Sequence, residues 1–82
     1  MNLFKENQRL RERLVTNAVE KYLITEIERN PYADPDVPTS VRMMSEDLKI
    51  PPEEIITVFR DYKIYGMEML RSDGAHFIRL TY

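Results

Sequence analysis

Residues 38–74 read PTSVRMMSEDLKIPPEEIITVFRDYKIYGMEMLRSDG, and their punctuation divides them into two short helices and the start of a hairpin. Thr39 or Ser40 offers an N-cap, since a side-chain oxygen there accepts from an amide that the first helical turn leaves unpaired. A helix then runs to about Leu48, with Met43, Met44 and Leu48 as its expected buried face. Lys49-Ile50-Pro51-Pro52 is a turn. Pro52 suits the first position of the next helix, and Glu53 and Glu54 sit well against its positive end. Ile55, Val58, Phe59 and Tyr62 give that helix an inward stripe, and it is expected to reach Tyr65 and stop at Gly66. Beyond it, Met67 to Arg71 and His76 to Thr81 are strand-like. Asp73-Gly74 between alternating apolar residues is a strong local signal for a two-stranded hairpin.

Upstream of this stretch, Asn30 to Pro38 holds three prolines and two aspartates and reads as a loop. Residues 3–29 contain neither Gly nor Pro, and Leu3, Leu10, Leu14, Ala18, Val19, Tyr22, Leu23 and Ile27 recur at spacings of three, four and seven. That periodicity predicts one long helix, ended by Asn30-Pro31 because the residue before proline avoids helical backbone angles. At 1.5 Å per residue it spans roughly 40 Å, more than one small domain covers. Residues 1–13 are therefore expected to protrude, and residues 14–82 to form the domain. The expected class is α+β: three helices and a two-stranded hairpin, the first helix extended at its amino end.

Composition narrows the chemistry. With 82 residues there is room for one core, and a domain of this size gains much from a disulfide, a metal or a second subunit. The chain has no cysteine and one histidine, His76, so disulfides and thiolate metal sites are excluded and no metal site is expected. No cofactor is expected either: the only glycines are Gly66 and Gly74, which rules out a glycine-rich phosphate loop. Glu46-Asp47 and Glu53-Glu54 are adjacent in sequence, so on helices they diverge, and no catalytic residue or enzyme activity is expected. The apolar runs are short, which predicts no membrane span and a cytoplasmic protein. Its size leaves little space for a small-molecule pocket outside an interface between subunits.

The order helix, helix, helix, hairpin resembles the winged-helix (winged helix-turn-helix) DNA-binding family over about Leu14 to Tyr82. Pro38-Thr39-Ser40 is similar to the family's lead-in to its second helix, and Leu48-Lys49-Ile50-Pro51 to its turn. Ile55, Val58, Phe59 and Tyr62 match the apolar slots of its recognition helix. Tyr65-Gly66-Met67 looks like the junction into the wing, and Asp73-Gly74 like the wing tip. Lys49 stands where glycine is usual, so the backbone there is expected to avoid the left-handed region. Pro52-Glu53-Glu54 also departs from the Ser, Thr or Arg that DNA binders often place there.

The resemblance implies a small sequence-specific transcription regulator acting on double-stranded DNA. Glu53, Ile56, Thr57 and Arg60 would then face the major groove, with Thr57 and Arg60 reading bases and Lys63 at the end of the helix. Arg71, His76 and Arg79 on the hairpin would hold phosphates, as would Thr39, Ser40 and Arg42 at the start of the second helix. A homodimer would present two such helices to a palindromic site, and Leu3, Phe4, Leu10 and Leu14 are the residues expected to join the copies.

Charge points to a different use of the same fold. Net charge is -2, and residues 31–65 hold four Lys/Arg against seven Asp/Glu, whereas residues 1–30 hold six against five. An acidic recognition section and an exposed Ile56 suit a winged helix that binds a partner protein at the Ile56 face and no DNA.

Overall fold

A computed structural model describes residues 3–32, 34 and 36–81, with the backbone alone for residues 3–6. Its elements are α1 (Leu3–Arg29), β1 (Thr39–Ser40), α2 (Val41–Leu48), α3 (Pro52–Asp61), β2 (Met67–Ser72) and β3 (Ala75–Leu80). The class is α+β. The three strands form an antiparallel sheet in the order β1-β3-β2. One core is assembled from all three helices and the sheet: Val15, Val19 and Leu23 of α1, Val41 and Met44 of α2, Ile55 and Val58 of α3, Met67 of β2 and Ile78 of β3.

The third strand is the main departure from the expected two-stranded hairpin. Thr39 pairs with Ile78 and Ser40 with Phe77. Ser40 is the N-cap of α2, with φ -63° and ψ 131°, and its hydroxyl accepts from the Arg42 amide at 3.1 Å. A capping residue already holds extended dihedrals, so the residues that start the helix are also free to join a sheet. Two residues carry no alternation, which is why the strand left no pattern in the sequence.

Helix α1 has two apolar faces where one was expected. Val15, Val19 and Leu23 are buried at spacings of four, while Leu10 and Leu14 are 56% and 60% exposed. Leu14 thus belongs with Leu10 on an outward face, and Val15 takes the core position. In α2 the buried residues are Val41 and Met44, with Leu48 packed against the core, whereas Met43 is 54% exposed. The helix starts at Val41, so positions 41, 44 and 48 share a face and Met43 falls about 100° away from Met44.

Helix α3 ends at Asp61, short of the expected Tyr65. Tyr62 is already extended at φ -121° and ψ 145°, and its amide donates to the Val58 carbonyl at 3.1 Å. Ile64 explains the early stop. Seven residues after the exposed Thr57, it would follow Thr57 onto the solvent face of a continued helix. Unwinding after Asp61 lets Ile64 pack against the core. Tyr62, expected inside, is left exposed at the same break.

Lys49 does adopt the left-handed conformation, at φ 58° and ψ 37°. Its amide donates to the Ser45 carbonyl, and the Ile50 amide donates to the same carbonyl at 3.3 Å. These bonds are the helix-ending pattern that normally places glycine at this position. The Ser45 hydroxyl donates to the Ile50 carbonyl at 2.6 Å and locks the turn from the other side. At the hairpin tip Asp73 and Gly74 both have positive φ, 51° and 80°, as a two-residue turn that follows the twist of its strands requires.

Candidate functional site

The outward face of α3 carries Glu53, Thr57, Arg60 and Asp61, all exposed and on the side away from Ile55 and Val58. No side chain caps the helix start, and the amides of Glu54 and Ile55 both turn back to the Pro51 carbonyl. Ile56 is half-buried and packs against the core, so the exposed isoleucine on which a partner-binding face was expected is not on offer. Thr57 and Arg60 do share one face, as expected. Lys63 lies beyond the end of the helix, its ammonium 5.5 Å from the centre of the Tyr65 ring.

Most of the arginines expected to contact DNA already face carboxylates. The Arg60 guanidinium donates to Asp61 at 2.9 Å, and that hydrogen bond, with the charge of the same carboxylate, holds the arginine above its ordinary pKa. Arg42 sits 3.6 Å from Glu46, one turn along α2. Arg79 gives two donors to one Glu68 oxygen, at 3.0 and 3.2 Å, from directly opposite positions on β3 and β2. Arg71 is exposed and lies opposite His76.

The pleat separates the two wing arginines. Directly opposed residues of an antiparallel pair lie on one face of the sheet, and successive residues alternate. Arg71 and His76 therefore share the face of Met69 and Ile78, whereas Arg79 and Glu68 lie on the other, with Leu70 and Phe77. One flat ligand surface cannot be met by Arg71 and Arg79 together. Thr39 and Ser40 are half-buried, and the Ser40 hydroxyl is occupied by its capping bond.

Two grooves flank these residues, where little space for a pocket was expected. The first, of about 430 Å³, runs between the amino-terminal half of α1 and α3. Glu12, Glu53, Glu54 and Asp61 line it, with Arg11 as the one lining cation among the described residues, and Val58 and Tyr62 add apolar surface. Arg11 is ion-paired with Glu54 across the groove, which ties the expected protruding segment to α3. Thr57 stands on its lip. The second, of about 500 Å³, lies where the end of α1, the loop before β1, the start of α2 and β3 meet, and the exposed Val37 and Met43 both open into it.

A contact with no sequence signal joins α1 to α2. The Tyr22 hydroxyl donates to Asp47 Oδ2 at 2.6 Å. Burial, reinforced by that hydrogen bond and by the carboxylate charge, pushes the phenol up to about 12. The two residues are 25 positions apart, and no local pattern relates them.

Leu10 and Leu14, two of the residues expected to join copies, lie on the outward face of α1, while the side chains of Leu3 and Phe4 fall outside the described ones. Among the described residues no cluster of His, Cys, Asp and Glu is arranged to hold a metal ion, and no helix is long and apolar enough to cross a membrane. No family model, curated protein or solved structure matches this chain.

Proposed function

We propose that the chain is a winged-helix module that binds double-stranded DNA and regulates transcription, with α3 as the reading helix and β2–β3 as the wing. The observation that carries this reading is the strand pairing. β1 is inserted between α1 and α2 and closes onto β3, so the start of α2 is tied to the hairpin on one side of α3. That order leaves Thr57 and Arg60 as the polar groups able to reach base edges, with Arg71 and Lys63 as the cations for phosphate.

The arginine pairs do not bar this use. Arg60 and Asp61 are both exposed and water screens their attraction, so a base edge or a phosphate competes with the carboxylate on nearly equal terms. Arg79, which donates two hydrogen bonds to Glu68 on the opposite strand, is the least available and drops out of the proposed contact set.

Fluorescence anisotropy of mixed-sequence duplex across a salt series tests the proposal. Affinity is expected to fall linearly on a log–log plot of binding constant against salt, with a slope of about -2 to -3 for two or three phosphate contacts. Arg60→Glu with Arg71→Glu is expected to abolish binding while the circular dichroism spectrum is unchanged. Absence of binding at the lowest salt refutes the reading.

A second reading is favoured by the α1–α3 groove. Its carboxylates, Glu12, Glu53, Glu54 and Asp61, stand beside the reading face and repel phosphate, but they complement a basic partner protein. Glu53→Lys with Asp61→Lys separates the two. Tighter DNA binding supports the first reading, and loss of a protein partner from a chain that never binds DNA supports the second.

A further inference from the structure

We propose that a second copy of this chain docks along the outward face of α1, forming a short parallel helix pair whose register is set by Asn17. The observation is a second stripe on α1, opposite the one that faces the core. Leu10, Leu14, Asn17, Lys21 and Ile24 follow one another at spacings of four, three, four and three, the seam spacing of paired helices. At 100° per residue this stripe lies about half a turn around the helix from Val15, Val19 and Leu23, which are buried in the domain. All five stripe residues are exposed, including the three large aliphatic ones.

The seam reaches well past the leucines near the amino end. From Leu10 to Ile24 it runs about 21 Å along the helix, so the contact involves the part of α1 that is anchored in the core as well as its free turns. A partner therefore meets a helix already held straight by its own domain, and little ordering cost remains for association.

Asn17 argues for an identical partner. Its amide both donates and accepts, and in a parallel pair it meets the same amide of the other copy, so each satisfies the other. Polar residues in a seam cost stability, and one that pairs with its own copy disfavours shifted registers and higher oligomers; of the two polar seam residues, Asn17 is the one that can do so. Lys21 is long enough to run its stem along the seam and keep its ammonium in water. With three aliphatic residues per copy the pair is modest, with a Kd of about 1–100 µM. The proposal is independent of DNA binding, and its test contains no DNA.

Sedimentation equilibrium of the full chain between about 1 and 200 µM is expected to show a monomer–dimer equilibrium. Leu10→Glu with Leu14→Glu is expected to give monomer throughout with unchanged helicity, because both side chains lie outside the core. The absence of cysteine gives a register test. Asn17→Cys and Leu10→Cys are each expected to form disulfide-linked dimers under mild oxidation at least tenfold faster than Ser72→Cys, an exposed site remote from the seam. Asn17→Leu is expected to tighten association by tenfold or more and to admit species larger than the dimer. A monomer at every concentration overturns the proposal. So does a dimer that survives the two glutamates, or cross-linking at position 17 no faster than at position 72.

Discussion

Replacing Lys49 with glycine should stabilise the protein although it deletes a side chain. Lys49 ends α2 with φ 58°, and a residue bearing a Cβ pays roughly 1–2 kcal/mol to stand in that region. Glycine removes this strain but gives the unfolded chain more freedom, which costs about 0.5–1 kcal/mol. The lysine is exposed, and the two amide bonds to the Ser45 carbonyl involve only backbone and persist in the variant. At the middle of these ranges the balance is a gain of about 0.75 kcal/mol, which for a domain of this size raises Tm by about 3–6 °C. Thermal and urea unfolding followed by circular dichroism measure it, at one fixed protein concentration because association shifts Tm. Lys49→Ala is the control. It keeps the Cβ and removes the charge, so it should stay within about 0.5 kcal/mol of the parent. If alanine stabilises as much as glycine, the gain comes from the charge and the backbone argument is refuted. If glycine is neutral or worse, the left-handed residue is not strained.

The adjacent methionines should behave in opposite ways: Met44→Ala, at a fully buried site, should cost about 2–5 kcal/mol, and Met43→Ala less than about 0.5 kcal/mol by urea unfolding. Ser40→Ala removes the cap of α2 and should cost about 1 kcal/mol in the same assay, with the residue still extended within β1. Tyr22 should titrate near pH 12, in absorbance at 295 nm. Because its phenol is raised from 10.0 in the folded state, its contribution to stability is complete below pH 10 and is lost as the pH rises through 12; Tyr22→Phe should remove that part of the alkaline loss.

Much of the architecture was legible because it is written in local devices. The Pro52 start of α3, the cap before α2, the proline stop after α1 and the Asp73-Gly74 turn each act within four residues of themselves. What escaped depends on distant partners. β1 exists only because β3 lies beside it, and Val15 is buried and Leu14 exposed only because α3 and the sheet choose one of the two apolar faces of α1. Lys49 misled for a different reason: its local preference is real, but the two amide bonds that close the turn outweigh it. At the candidate site, the outward placing of Thr57 and Arg60 came from the winged-helix resemblance, which also put Ile56 on that face, where it instead packs against the core. The Glu68 and Asp61 partners of the arginines, and the groove beside them, required the tertiary pairing.

The strand order β1-β3-β2 also determines how this sheet meets other chains. On the β1 side, two residues of strand pass at once into a helix, too little backbone for another strand to add to. The six residues of β2 form the open side, and there Glu68 and Arg71 carry charges of opposite sign within a short span. A copy adding its own β2 in parallel register would stack each of these charges over its own kind, and such stacking is unfavourable. The sheet is thus guarded at one rim by brevity, and at the other by charge against in-register stacking of like strands.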